Sequence, residues 1–232
     1  MLDEAHILST NLGTIGVIVA AMALVALVEI AAPLRARARA NRLHIAPNLT
    51  LTFMTFATNI VMNTALILGL VWAQTSGFGL LNQIQLPPLW HVVVVVLVLD
   101  FSFYVAHVSM HKVGAFWRFH AVHHSDPIVD VTTTIRQHPG EGLIRYGYLA
   151  IFAIPLGASL PAFAIYRLWS VLNGLLEHAN IGAPPWFDTA LSWLTTWPYM
   201  HKVHHSRDLR FTAPHYGNLL SIWDRAFGTF TP

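Results

Sequence analysis

Residues 49–73, LTLTFMTFATNIVMNTALILGLVWA, run without one charged side chain. As a helix that run is long enough to cross about 30 Å of hydrocarbon, and it constrains everything around it. Residues 12–34 (LGTIGVIVAAMALVALVEIAAPL) repeat the pattern with Glu29 as their one charge. Residues 89–110 make a third apolar stretch, which ends among histidines. The composition agrees: 55% of the 232 residues are hydrophobic and 10% charged, against about a quarter charged in a water-soluble domain. So little polar surface cannot cover a soluble globule, which implies a surface that faces lipid.

Charge sets the orientation. Arg35, Arg37, Arg39 and Arg42 come directly after the first apolar stretch, and clustered basic residues mark the cytoplasmic side. The opening MLDEAH is acidic where a signal peptide needs a basic segment, so the first stretch reads as a retained membrane helix. The loop 74–88, with Gly77, Gly79 and the Pro87–Pro88 pair, reads as a turn-rich exterior connection. Residues 143–176 are apolar but interrupted by Pro155, Gly157 and Pro161, with Arg145 and Arg167 near the two ends. They are expected to form two short helices that dip into the membrane and return; one long span is the alternative. Residues 184–232 carry Trp186, Trp193, Trp197 and Trp223 and suit the interface and a cytoplasmic cap. The expected fold is an all-α integral membrane bundle: about three full spans, a short membrane-dipping hairpin and a histidine-rich cytoplasmic cap. Residues 1–232 form a single membrane domain, with 1–99 mainly membrane helices and 100–232 the region that carries the chemistry.

The net charge of +2 comes without a broad basic patch, which gives no nucleic-acid partner. The lack of cysteine removes disulfides, thiolate-bound zinc and iron–sulfur clusters. Chemistry falls to the histidines. In DFSFYVAHVSMH, Asp100, Tyr104, His107 and His111 recur at i, i+4, i+7 and i+11, one stripe of a helix. Asp100 in an apolar span is costly without a partner or a function. HAVHHS, at 120–125, and HKVHHS, at 201–206, repeat one spacing: His120, His123 and His124 face one way, as do His201, His204 and His205. Eight imidazoles exceed what one four-coordinate zinc ion uses; two metal ions fit the count, and imidazole suits iron, copper, zinc and nickel alike. Scattered His6, His44 and His91 read as uninvolved. If both words serve one site, the chain between them must return to the side it left, which favours the hairpin over a single crossing.

The order HxxxH, HxxHH, HxxHH among membrane helices resembles the fatty acid hydroxylase/sterol desaturase superfamily of membrane non-haem di-iron oxygenases. DFSFYVAHVSMH, FWRFHAVHHS, IRQHPGE, LLEHAN, MHKVHHS and YGNLLSIWDRAFGT resemble its successive blocks, over about residues 100–230. The resemblance implies two iron ions, with zinc an alternative occupant of the purified protein, and O₂ as co-substrate. It implies His178 as a ninth ligand and gives His138 a ligating or supporting role. Asp100, Tyr104, Glu177 and Asp224 are further candidates for ligation or for holding the imidazoles; His215 reads as local packing. The expected reaction is hydroxylation, or desaturation, of an unactivated C–H bond of a bilayer lipid. Two electrons would come from an external reductase or carrier, and the site would lie on the cytoplasmic face of a bacterial inner membrane. Alternatives are a haem-binding membrane electron carrier, for which two histidines per haem suffice, and a zinc-dependent membrane hydrolase, whose HExxH signature is missing from all three clusters.

Overall fold

The computed structural model describes residues 4–35, 43–206, 208 and 214–231. Arg37, Arg39 and Arg42 of the basic cluster lie outside the described residues. Among the described residues the chain is helical, with no strand. Three long helices come first: α1 (Glu4–Ala31), α2 (Ile45–Ser76) and, after the four-residue α3 (Leu80–Gln83), α4 (Pro88–Lys112). Pro88 starts α4 where a missing N–H does no harm, and Gly77 ends α2 in a left-handed conformation with φ 70°. α2 and α4 are long and apolar enough to cross a membrane; the contiguous apolar part of α1, Ile15–Ala31, is shorter. Leu27, Ile30, Val61, Leu68 and Leu89 on these helices point outward with more than half of their surface exposed. Such a surface fits hydrocarbon, not water.

α6 (Pro139–Leu156) and α7 (Leu160–His178) form the hairpin. Pro155 and the left-handed Gly157 end α6. The tip meets the turn that closes α2: a Cβ on Gly79 would come within 2.6 Å of Gly157 Cα. The hairpin therefore reaches the far end of α2, and at 18 and 19 residues its helices are longer than the short dip expected from sequence. Both of its open ends return to the same end of the bundle. His138, before α6, lies 5.0 Å from Phe119 between ring centroids, and His178, ending α7, lies 4.2 Å from His201. Leu66 and Leu70 of α2, Val95 and Leu99 of α4, Leu149 of α6 and Phe163 of α7 fill the centre of the bundle. In lipid, packing of this kind holds helices together by close contact, since no water is displaced.

The remaining elements gather at the open end: α5 (Gly114–His124), α8 (Pro185–Ser192), α9 (Pro198–His204) and α10 (Ile222–Ala226). Polar residues tie them to the bundle. Glu29, near the end of α1, accepts the Val131 N–H at 2.8 Å and the Asn180 N–H at 2.7 Å through one oxygen. Asn48 on α2 donates to Asp126, Thr55 donates to the Gln137 carbonyl, and His44 pairs with Asp130 at 2.9 Å. His44 thus has a structural role, as does His91, whose Nε2 accepts the Ser159 N–H.

Candidate metal centre

Four elements deliver the histidines. α4 supplies His107 and His111 one turn apart, α5 supplies His120, His123 and His124, and the last turn of α7 supplies His178. α9 and the residue after it supply His201, His204 and His205. All nine converge in two groups: His107, His111, His120, His124 and His204; and His123, His178, His201 and His205. Within each group the candidate ligand atoms lie within 4.8 Å of one another. The repeated word explains the partition. His120 and His124, at i and i+4, share one face and enter the five-membered group, while His123, at i+3, turns to the other. In the second word His201 and His205 enter the four-membered group and His204 crosses over. Each word therefore gives two rings to one group and one to its neighbour.

The ring orientations are held from outside. His107 Nδ1 donates to the Tyr216 carbonyl at 2.9 Å, His204 Nδ1 to the Pro214 carbonyl at 2.9 Å, and His178 Nδ1 to the Gly174 carbonyl at 2.8 Å. A carbonyl only accepts, so each Nδ1 carries the proton and each Nε2 presents its lone pair inward. His120 Nδ1 lies 3.2 Å from Glu141 Oε2.

The inward atoms fit metal ions. Among the described residues, Nε2 of His107, His111 and His204 is buried with no hydrogen-bond partner. His178 Nε2 faces His123 Nε2 at 3.1 Å and His201 Nε2 at 3.0 Å. Lone pairs at that separation repel unless a cation sits between them, and two nitrogens each about 2.1 Å from one ion at right angles stand about 3 Å apart. Burial, reinforced by neighbouring imidazoles, holds His120, His123, His124, His201 and His205 well below the usual histidine range. Burial also pushes His204 down to about 4. The rings are neutral at pH 7, as metal ligation requires.

The other expected site residues do not join the two groups. Asp100 accepts the Leu219 and Leu220 N–H groups and Trp223 Nε1–H. Asp224 accepts the Tyr216 and Gly217 N–H groups and the Thr229 hydroxyl. Together these carboxylates fix the segment whose carbonyls orient His107 and His204. His215 takes a left-handed backbone, φ 67°, between the two carbonyls that face the site. Tyr104 hydrogen-bonds Thr229. Glu177 accepts the Thr196 hydroxyl at 2.6 Å and lies 4.0 Å from His201 Nε2. His138 caps α6 by accepting the Gly140 N–H at 3.0 Å.

A cavity of about 80 Å³ adjoins both groups. His107, His120, His123, His178 and His201 line it, with Phe103, Glu141, Arg145, Arg167 and Asn218. Of the aromatic and aliphatic side chains nearby, Phe103 lines it. Phe101 packs instead on Phe152, Trp223 and Phe227, and Trp169 and Leu172 face outward. Sequence reading missed the Pro214 and Tyr216 carbonyls, which carry no side-chain signal. It also missed the two cavity arginines, whose signal was a charge inside an apolar stretch.

A family model described as fatty acid hydroxylase matches residues 92–229, which contain all nine histidines. The chain belongs to that family. Among curated relatives, an ornithine lipid hydroxylase, OlsE, of Rhizobium tropici is 34% identical over 146 residues, 63% of this chain and 43% of that protein. An alkylglycerol monooxygenase of Caenorhabditis elegans is 31% identical over 135 residues, 56% of this chain and 25% of its own. A very-long-chain aldehyde decarbonylase, GL1-5, of Oryza sativa subsp. indica is 26% identical over 176 residues, 67% and 25%. The chain spans less than half the length of these relatives. No solved structure matches it. Two nitrogen-only clusters beside a shared cavity lie within the region of the chain that matches the fatty acid hydroxylase family.

Proposed function

We propose that the chain is a membrane di-iron lipid hydroxylase, and the observation that carries this is the pair of adjoining imidazole clusters opening on one cavity. Relatives named as lipid hydroxylase and monooxygenase support the reaction class. The overall change is R–H + O₂ + 2e⁻ + 2H⁺ → R–OH + H₂O. The nine histidines would hold the iron, which when bound would supply the activation of O₂ that an unactivated C–H bond requires, because no general base can remove its proton. The chain's own part is positioning. The Tyr216, Pro214 and Gly174 carbonyls hold three rings in one tautomer, and Glu141 sits against a fourth. Phe103 and Met110 add apolar wall beside the rings. The electrons come from an external reductase or carrier approaching the cytoplasmic face, with α1, α2 and α4 crossing a bacterial inner membrane and the hairpin inserted beside them. A haem carrier needs one axial pair, and a zinc hydrolase one ion with a base; neither uses nine converging imidazoles.

The test is metal content per chain on protein purified in lipid nanodiscs, followed by turnover of membrane lipid under ¹⁸O₂ with a chemical or enzymatic electron donor. About two metals per chain are expected, with one ¹⁸O atom in the product only when electrons are supplied. One metal, a haem spectrum, or product oxygen drawn from water would overturn the reading.

A further inference from the structure

Arg145 and Arg167 are the two charged residues of the apolar stretch 143–176 within the hairpin, and both line the cavity next to the histidines. Charged side chains at such positions are expensive and pair with something or serve a function. Neither arginine is well satisfied by the protein. Among the described residues Arg145 has one ion pair, with Glu141 at a loose 3.7 Å, and lies over the Phe103 ring at 4.4 Å. Arg167 donates one hydrogen bond, to the Tyr146 hydroxyl at 2.9 Å, and lies over the same ring at 5.0 Å. A guanidinium offers five N–H donors, so most of these donors have no partner among the described residues.

The nearby carboxylates neutralise the arginines only in part: Glu141 is shared between its loose pair with Arg145 and the His120 ring, and Glu177 makes no ion pair with either arginine among the described residues. Glu141 Oε2 lies against His120, and Glu177 is held by Thr196 beside His178 and His201. The rest of the polar lining, Asn59, Gln137, Ser170 and Asn218, suits a polar guest; Asn59 Oδ1 is buried and unpartnered. The size narrows the guest further. About 80 Å³ admits a small polar group, whereas pockets that enclose drug-sized ligands run to about 300–1,000 Å³. An alkyl chain stays outside, where Leu143 and Leu172, next to the lining residues Gly142 and Val171, face outward.

We propose that this cavity seats the anionic end of a lipid, a carboxylate or a phosphate clamped by Arg145 and Arg167. The histidine clusters then meet C–H bonds close to that polar end, not those near the methyl end of the chain. Planar guanidinium forks match both oxyanions. The proposal rests on the hydroxylase reading for the identity of the guest as substrate, and the binding itself is measured independently of turnover.

The experiment uses the full-length, metal-loaded protein in zwitterionic nanodiscs at about pH 8, where a carboxylate is ionised. Equilibrium binding of dodecanoate, dodecyl phosphate and dodecanol is compared, so that chain length is constant and the two oxyanions are distinguished. At least one anion should bind ten times more tightly than dodecanol. Arg167→Gln and Arg145→Gln should each remove most of that preference, with Arg145→Lys keeping part of it and dodecanol binding unchanged throughout. Arg167→Gln breaks no ion pair and carries the test if Arg145→Gln does not fold. Equal binding of all three amphiphiles, or an anion preference within twofold of the unsubstituted protein in Arg167→Gln, would overturn the proposal. Metal content of the same samples separates the two readings. Two metals with no anion preference sinks the headgroup clamp alone, while an anion preference in a protein that never holds two metals sinks the hydroxylase alone.

Discussion

Replacing Asp100 with Asn tests whether a carboxylate that touches no imidazole governs metal retention. Asp100 is fully buried on α4 and accepts three hydrogen bonds: Leu219 N–H at 3.0 Å, Leu220 N–H at 3.1 Å and Trp223 Nε1–H at 2.9 Å. Asn keeps the shape but turns one acceptor oxygen into an NH₂ that faces N–H donors. One hydrogen bond is lost and the remaining ones lose their charge assistance. At about 1.5–3 kcal/mol for a bond to a charged group, the change costs about 2–4 kcal/mol. The strain falls on the segment whose Pro214 and Tyr216 carbonyls hold His204 and His107. Both rings belong to the five-histidine group, so that group should lose about ten- to hundredfold in metal affinity, as expected when an outer partner is removed. The assay is metal retained per chain against a graded chelator, with thermal unfolding recorded on the same samples. One metal should leave early and the other at the concentration seen without the substitution. A variant that is destabilised yet holds both metals equally well would refute the reasoning, since Asp100 would then support the fold without supporting the site.

Acid should weaken the metal-free protein. Buried His204 is pushed down to about 4, against about 6.5 in an unfolded chain. Stability is therefore complete above pH 6.5 and declines as pH falls towards 4, where the unfolded chain binds protons that the folded one refuses; a melting temperature constant across that window would contradict the burial. His138→Ala should cost about 1 kcal/mol through the lost α6 cap and leave metal content intact, while His178→Ala should empty the four-histidine group; metal analysis distinguishes them. Gly79→Ala, with φ 102° and its Cβ 2.6 Å from Gly157, should destabilise by more than about 2 kcal/mol. Gly77→Ala, where nothing lies within 4 Å, should cost only about 1 kcal/mol. Chelation of the purified protein should lower its melting temperature, because a ligand that binds only the folded state stabilises it.

The nine histidines were legible because helical spacing is a strong rule: i, i+3 and i+4 put three rings on one side, and two copies of a word imply that the chain between them returns. The same rule could not reveal how the rings are divided. His123 and His204 sit one residue before a ring of the opposite group, and that partition depends on how α5 and α9 pack against each other. His138 was ambiguous because a histidine before Pro-Gly serves equally as ligand or helix cap, and the choice rests on a 3.0 Å contact to its own backbone neighbourhood. The depth of the hairpin was hidden for another reason. Pro155 and Gly157 announce a turn, but how far the turn travels is fixed by Gly79, a glycine distant in sequence. Arg145 and Arg167 are visible in the sequence as charges near the two ends of an apolar stretch; their convergence on one cavity is a tertiary fact.

Glu29 has a consequence for the way the first helix is placed. A rod that is apolar on all sides has no preferred azimuth in a bilayer, and lipid alone leaves it free to spin and to slide by a turn. One carboxylate oxygen that meets two amide protons from separate segments, at Val131 and Asn180, removes both freedoms at once. Ile18 and Met22 then seat one face of α1 against Val131, Ile135 and Leu175, and position 29 keys that face to the rest of the molecule.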